Sequence, residues 1–119
     1  MAGVSDGYAR RGDVFWVALD PTVGTEIAKT RPAVIISNDV GNRYSDRVIV
    51  APVTSQHGDK VYPFEVLAHA GEGGLQHASK VVLDQIRSVD KQRLRARLGT
   101  LPTDRMKEVD QAIRVSLAV

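Results

Sequence analysis

Two apolar runs near the middle of the chain decide its fold: AVIIS at residues 33–37 and RVIVAPVT at residues 47–54. Both runs are nearly continuous, which is typical of strands that are buried on both faces or closed into a barrel. The link between them, residues 38–46, carries capping and turn residues at both ends and is expected to hold one short helical turn. These two strands should therefore form the core.

On the N-terminal side of this core, the run DVFWVAL at residues 13–19 is rich in strand-forming residues. The pair Asp20-Pro21 favours a turn and ends this strand. The polar stretch that follows, residues 21–32, has the character of a hairpin loop and is the first candidate for function. Residues 1–10 are small, polar and unpatterned, so we expect a flexible arm there and a single domain over residues 11–119.

On the C-terminal side, residues 62–66 predict a short strand that Pro63 limits to a sheet edge or a strand start. Residues 79–89 alternate imperfectly between apolar and polar and are expected to bend or carry a bulge. After Pro102, apolar residues recur three and four apart, which predicts an amphipathic helix capped by Thr103. Five or six short strands and one C-terminal helix indicate an α+β fold, a small curled sheet or barrel with the helix packed over it.

Composition narrows the class of protein. A chain of 119 residues with 43% apolar and 25% charged residues is a globular chain of about one domain. It has no cysteine, which excludes disulfide scaffolds, thiolate zinc sites and cysteine nucleophiles. No apolar run is long enough to span a bilayer, and the first residues lack a secretory signal, so we expect a cytoplasmic protein without a membrane partner. The net charge of +2 is too small to indicate nucleic-acid binding by itself.

Short motifs follow one another in order along the chain. They are RGDVF at 11–15, DP at 20–21, GTE at 24–26, RP at 31–32, SND at 37–39, GN at 41–42, PVT at 52–54 and DQIRSVDKQRL at 84–94. Each motif is weak alone, but the order and spacing of the set resemble the MazF/PemK family of toxin ribonucleases from residue 11 to the C-terminus.

The resemblance implies an SH3-like barrel of the plasmid-maintenance toxin type and a symmetric homodimer that cuts single-stranded RNA, such as mRNA, at short sequence motifs. It also implies a cognate antitoxin whose acidic, disordered tail covers the RNA groove, with contact to DNA only through that antitoxin. One departure concerns a pair of glycines that often precedes the arginine-proline step in the family. Ala28 and Lys29 stand in their place here, and their side chains should stiffen the loop and add a positive charge near the RNA.

Cleavage of RNA without a metal needs a proton acceptor, a proton donor and a group that stabilises charge on the phosphorane. Arg31 has a forked guanidinium suited to the phosphate oxygens and matches the essential arginine of the family. Thr54 closes the long strand and matches the active-site threonine of the family. Glu26 is the nearby carboxylate that we expect to accept the 2′-OH proton. The products should be a 2′,3′-cyclic phosphate and a 5′-OH end, so neither a cofactor nor a metal is expected.

Four further residues are candidates for binding RNA: Lys29, Ser55, Gln85 and Arg87. For Gln85 and Arg87 a structural hydrogen bond or salt bridge is an equally good interpretation, and Ser55 either assists Thr54 or does nothing. The three histidines show no spacing that pairs two of them, so we expect them to lie on the surface: His57, His69 and His77.

Two other functions remain open from the sequence. A non-catalytic module on the same barrel would act through protein contacts, as related toxins do when they poison a topoisomerase, and it would have no need of Arg31 and Thr54 together. An RNA-binding adaptor would stack bases on aromatic side chains, but the chain has only one tryptophan, three tyrosines and two phenylalanines.

Overall fold

A computed structural model describes residues 7–55 and 60–119 of the chain. This part contains seven strands and two α-helices, with short 3₁₀ turns at Glu72–Gly74 and Lys91–Arg93. The strands are β1 (Asp13–Ala18), β2 (Thr30–Ile35), β3 (Arg47–Ser55), β4 (Glu65–Ala68), β5 (Ser79–Val82), β6 (Arg87–Asp90) and β7 (Leu94–Thr100), and the helices are α1 (Asp39–Tyr44) and α2 (Thr103–Leu117). The α+β prediction is confirmed.

The two apolar runs pair at the centre of an antiparallel sheet, as predicted. The hydrogen-bonded strand order is β4-β5-β3-β2-β1-β7, and β6 also pairs with β3. In the register of β2 and β3, Ala33 lies opposite Pro52 and Ile35 opposite Val50. The short helix α1 occupies the link between the two strands, where a helical turn was expected, and the Asn38 side chain caps it by accepting from the Gly41 amide.

Each face of this sheet buries a separate cluster of apolar side chains. Because side chains alternate along a strand, Val48 and Val50 of β3 enter one cluster while Ala51 and Val53 enter the other. Helix α2 packs onto the cluster of Ala51 and Val53 through its buried residues. Burial on both faces explains why the two central runs carry almost no polar residues.

The N-terminal arm and the single domain over residues 11–119 stay predictions. Residues 1–6 of the arm lie outside the described residues. Ala9 is buried, with 6% of its surface exposed, in the cluster that contains Val48 and Val50.

The segment predicted to bend, residues 79–89, divides into β5 and β6, which both pair with β3. Two other predictions were wrong in detail. Thr103 does not cap α2, because the helix already begins at Thr103 and Pro102 precedes it without a side-chain cap. The strand predicted at residues 62–66 begins only at Glu65, because the chain turns before it, with the Glu65 amide bonded to the Tyr62 carbonyl.

Strand pairing leaves the sheet open between its end strands β4 and β7 within the described residues. The glycine-rich segment Gly71–Leu75 lies in this gap, against the backbone of β7. A Cβ atom added to Gly74 would stand 2.2 Å from the Leu98 carbonyl oxygen, and one added to Gly99 would stand 2.8 Å from the Gly73 carbonyl carbon. Only glycine allows this contact between two backbones.

Glu72 fixes this segment to helix α2. Its Oε1 atom accepts hydrogen bonds from the His69 amide at 2.9 Å and from Arg105 Nε at 3.1 Å. The His69 amide, followed by Arg105, holds the pKa of Glu72 below its ordinary value, although partial burial opposes the shift. No helix in the described part of the chain is long and apolar enough to cross a bilayer.

We expect Glu72→Gln to destabilise the protein by about 1 kcal/mol at pH 7 and by progressively less as the pH is lowered through the acidic range. Because folding lowers the pKa of this carboxyl, its contribution is present above the unfolded pKa and is lost as the pH falls through the folded value. Urea denaturation of both proteins at pH 7 and at successively lower pH checks this, with Glu108→Gln as the control for an exposed partner of Arg105. An equal loss at every pH would contradict the assignment.

Candidate functional site

A cleft opens where β2 and β3 separate. In the described residues their pairing ends at Ala33 and Pro52, and from Val53 onward β3 pairs with β5 on its other edge. The cleft has a volume of about 310 Å³ and is lined by four of the predicted site residues. These are Arg31, Thr54, Lys29 and Ser55; we call this cleft the Arg31 cleft.

Arg31 and Thr54 come together through the register of the sheet. Arg31 lies two residues before Ala33, and Thr54 two residues after Pro52, where the pairing of the two strands ends. Because every second residue of a strand points to the same face, both side chains continue the face of that last pair, and both line the Arg31 cleft. The Arg31 side chain makes one hydrogen bond within the described residues, from Nε to the Ala28 carbonyl oxygen at 3.0 Å. Its two Nη groups therefore remain available as donors, as does the Thr54 hydroxyl, for which the described residues offer no partner.

The other walls of the Arg31 cleft include residues that the sequence did not reveal as site residues. Trp16 is 38% exposed and lies directly opposite Pro32 in the sheet, and both line the cleft. His77 is exposed, as expected, and it also lines this cleft. No pattern in the sequence indicates that His77 lies near Arg31. The fold of the preceding segment, Gly71–Leu75, brings His77 to the Arg31 cleft. His69 is exposed too, and His57 lies outside the described residues.

Glu26, Gln85 and Arg87 line a second cleft of about 510 Å³, which we call the Gln85 cleft. The loop between β1 and β2 contributes to both clefts, with Ile27 in the Gln85 cleft and Lys29 in the Arg31 cleft. The structure therefore places Glu26 in the cleft at the other side of this loop and not in the Arg31 cleft.

Hydrogen bonds from the Gln85 cleft hold the loop between β1 and β2. Gln85 Oε1 accepts from the Ile27 amide at 2.7 Å, and Arg87 Nη1 donates to the Leu19 carbonyl oxygen at 2.9 Å. Glu26 Oε1 accepts from the Val23 amide at 2.8 Å, within the loop itself. Gln85 and Arg87 thus make structural hydrogen bonds, which was one of the two interpretations that the sequence allowed. A role for them in RNA binding stays a prediction.

We expect Gln85→Ala to loosen this loop and to cost about 1 kcal/mol of stability, because the Ile27 amide loses its acceptor. Hydrogen exchange at the Ile27 amide should become faster, while the core strands stay protected. The control is Gln76→Ala, an exposed glutamine in the Arg31 cleft. Unchanged exchange at Ile27 would show that the loop does not depend on Gln85.

Lys29 has a left-handed backbone, with a φ of 71°. This conformation is natural for glycine and unfavourable for a residue with a side chain. The resemblance to the MazF/PemK family implies a glycine near this position. The backbone at Lys29 keeps a glycine-like turn, and its side chain adds a cation to the cleft.

The charges of the two clefts differ. Lys29 and Arg31 line the Arg31 cleft without any carboxylate, whereas the Gln85 cleft combines Arg87 with Glu26 and Asp84. A cationic cleft with free donors is suited to an anionic ligand such as a phosphate group. In the described residues, no three histidine or carboxylate side chains converge as metal ligands would.

Comparison with known proteins identifies the family of this chain. The family profile described as "PemK-like, MazF-like toxin of type II toxin-antitoxin system" matches residues 10–117. The endoribonuclease EndoA of Bacillus subtilis (strain 168) is 41% identical over 110 residues, which cover 92% of this chain and 95% of EndoA.

Solved structures show the same fold. MazF from Deinococcus radiodurans is 30% identical with a TM-score of 0.80, covering 94% of this chain and 98% of that one. A mycobacterial endoribonuclease, solved in complex with its cognate antitoxin, has a TM-score of 0.78 at 22% identity and covers 93% of this chain and 96% of its own. The chain belongs to the PemK-like, MazF-like toxin family of type II toxin-antitoxin systems, as its motifs indicated.

Proposed function

We propose that this protein is a sequence-specific, metal-independent endoribonuclease toxin, an mRNA interferase that arrests growth by cutting single-stranded RNA. The observation that carries the proposal is the meeting of Arg31 and Thr54 on two diverging strands, with free donors of both directed at one cationic cleft. The EndoA relative, which is 41% identical, is named an endoribonuclease. A module acting only through protein contacts would not need this pair.

In the proposed reaction the ribose 2′-OH gives up its proton and attacks the adjacent phosphorus. The bond to the 5′ oxygen of the next nucleotide breaks, and this oxygen takes up a proton from the solvent. The products are a 2′,3′-cyclic phosphate and a 5′-OH end, so no water is consumed and no cofactor enters the cutting step. The Arg31 Nη groups contact the non-bridging oxygens and stabilise the charge that develops on them. The Thr54 hydroxyl donates to the same phosphate from a rigid strand.

We assign the 2′-OH proton to Glu26, which the loop between β1 and β2 presents in the Gln85 cleft. One of its oxygens is bonded to the Val23 amide, and the other is available as an acceptor. This role requires RNA that lies across both clefts, with the scissile phosphate on Arg31 and the neighbouring 2′-OH within hydrogen-bond reach of Glu26. Lys29 and Ser55 then contact the RNA backbone in the Arg31 cleft, and Gln85 and Arg87 contact it in the Gln85 cleft.

The remaining properties follow from the family. The partner is an antitoxin whose acidic, disordered tail occupies the cationic cleft and excludes RNA. The mycobacterial endoribonuclease of the same fold is solved in complex with its cognate antitoxin. We propose a cytoplasmic homodimer that meets DNA only through the antitoxin. Residues 11–119 form its single toxin domain, a sheet that curls as an SH3-like barrel, with Gly71–Leu75 covering the gap between β4 and β7.

The proposal is tested by incubating the purified protein with a long unstructured RNA in excess chelator and mapping the fragment ends. We expect discrete cuts at a short recurrent motif, each leaving a 5′-OH end that a polynucleotide kinase labels without prior phosphatase treatment. Intact RNA beside a folded protein would refute ribonuclease activity on that substrate. Cuts that appear only when a divalent metal is supplied would refute the metal-free mechanism.

A further inference from the structure

Thr54 has a second cation beside it, on the edge of β3 that faces away from Arg31. Lys80 of β5 is paired directly opposite Thr54. Side chains paired in this way point to the same face of the sheet, with Cβ atoms about 5 Å apart. The Lys80 side chain is 19% exposed. Thr54 therefore lies between Arg31 on one edge of its strand and Lys80 on the other.

Glu65 ties Lys80 to an aromatic segment. Lys80 Nζ lies 3.5 Å from Glu65 Oε1, and the same oxygen accepts a hydrogen bond from the Tyr62 amide at 3.0 Å. The 3.5 Å between Lys80 Nζ and Glu65 Oε1 is longer than a good hydrogen bond. The N–H groups of the Lys80 ammonium are therefore available to a further acceptor. The Glu65 side chain, 10% exposed, holds Lys80 and the backbone of Tyr62 next to each other.

Tyr62 offers a surface on which a base can stack. Its ring stacks on Phe64, with 5.5 Å between centroids and 2° between ring planes, while 44% of Tyr62 remains exposed. Lys60 Nζ lies 5.0 Å from the Tyr62 centroid, so a base that stacks on this ring takes the place of the exposed Lys60 ammonium. An exposed aromatic stack beside a cation is the combination by which proteins bind single-stranded nucleic acid.

We propose that Lys80 and Tyr62 form a nucleotide-binding subsite for the RNA strand on the side of Thr54 away from Arg31, with a backbone phosphate on Lys80 and the base on the Tyr62 ring. Glu65 is the positioning residue of this subsite, and Phe64 supports the ring from behind. The inference rests on the proposed RNA cleavage and adds a contact outside both clefts. Affinity for RNA then depends on a nucleotide beyond those that the clefts hold.

The test measures binding of a fluorescent single-stranded RNA that contains the mapped cleavage motif, with a 2′-deoxy nucleotide at the cut to prevent cleavage. Anisotropy titrations from low to moderate salt give the affinity and its salt dependence. We expect Lys80→Met to weaken binding about fivefold and to reduce the slope of log affinity against log salt by about 0.7, the value for one phosphate contact on a single strand. Tyr62→Ala should weaken binding about tenfold, as loss of one stacked base does.

Two controls separate the subsite from folding. Lys107→Met removes an exposed cation from α2 and should leave the affinity and slope as in the wild type. The double variant Lys80→Met/Glu65→Gln removes the carboxylate that the single variant leaves unpaired, so its thermal midpoint should return toward the wild type while its RNA affinity stays low. RNA shortened from the end that reaches Tyr62 should lose affinity for the wild type but not for Tyr62→Ala.

Wild-type affinity and slope in Lys80→Met, together with wild-type affinity in Tyr62→Ala, would overturn the subsite. Recovery of RNA affinity in the double variant would do so as well, because it would show that Lys80 acts only through folding. Failure of the proposed function gives a different result, since the wild-type protein itself would then leave every RNA intact.

Discussion

Replacing Arg31 with alanine is expected to lower the rate of RNA cleavage about a thousandfold, by analogy with the loss of one preorganised donor to a developing oxyanion. The reason is that Arg31 supplies the free Nη donors in the cleft that it shares with Thr54, a cleft without carboxylates. Arg31→Lys should recover only part of the rate, because an ammonium keeps the charge but lacks the planar fork. Thr54→Val removes one hydroxyl at nearly constant shape, and we expect a loss of about a hundredfold.

Single-turnover cleavage of a short RNA that contains the motif provides the measurement, with circular dichroism and size-exclusion chromatography to establish that each variant folds. Trp16→Phe is the matched control, since it changes another wall of the same cleft and should alter binding more than rate. A folded Arg31→Ala protein with wild-type turnover would remove Arg31 from the chemistry. Persistent toxicity of that variant without RNA cleavage would direct attention to a protein target.

The second large effect concerns stability. Gly74→Ala should destabilise the protein by about 4 kcal/mol, a loss typical of substitutions that cause severe backbone strain or steric overlap. Gly74 has a φ of +76°, and a Cβ atom added to it would stand 2.2 Å from the Leu98 carbonyl oxygen of β7. The segment Gly71–Leu75 and strand β7 would therefore have to move apart. The gap between β4 and β7 would open, and the wall of the Arg31 cleft that Gly74 and His77 line would shift.

Gly71→Ala separates the two causes of this effect. Gly71 also has a positive φ, of +92°, but its added Cβ would meet nothing within 4 Å, so only the conformational cost of about 1 kcal/mol applies. Urea denaturation of the wild type and both variants checks the difference. Equal losses for Gly71 and Gly74 would mean that the contact with β7 contributes nothing.

The sequence predicted the strands and the helix in which the pattern of apolar residues matches the pattern of burial. The central strands β2 and β3 were recognised because both their faces are buried, and α2 because its apolar residues follow the helical period. Strand β7 was not recognised as a strand, although Arg95 and Arg97 alternate with Leu94, Ala96 and Leu98. None of its residues is fully buried, and it contains almost no β-branched or aromatic residues. The sequence showed only that residues 71–75 are rich in glycine. It did not show why glycine is needed there, because the reason is a contact with β7, a strand about 25 residues further along the chain.

The site residues also divide into those that the sequence predicted and those that it did not. Arg31 and Thr54 were identified through the motifs of the family, but their meeting across a cleft follows from the register of β2 and β3, which no local pattern specifies. His77 and Lys80 had no signal in the sequence. One is brought to the cleft by the glycine-rich segment, and the other is paired with Thr54 only because β5 joins β3 beyond its pairing with β2.

The most direct test of the account replaces the single nucleotide that supplies the attacking 2′-OH at a mapped cut site with its 2′-deoxy form. The RNA carries a second, unmodified copy of the motif and is incubated with wild-type protein in excess chelator. We predict that cleavage stops at the modified copy and continues at the other, because the nucleophile there is the ribose hydroxyl itself. Cleavage at the 2′-deoxy position would show that another nucleophile attacks the phosphate, and would contradict the proposed mechanism.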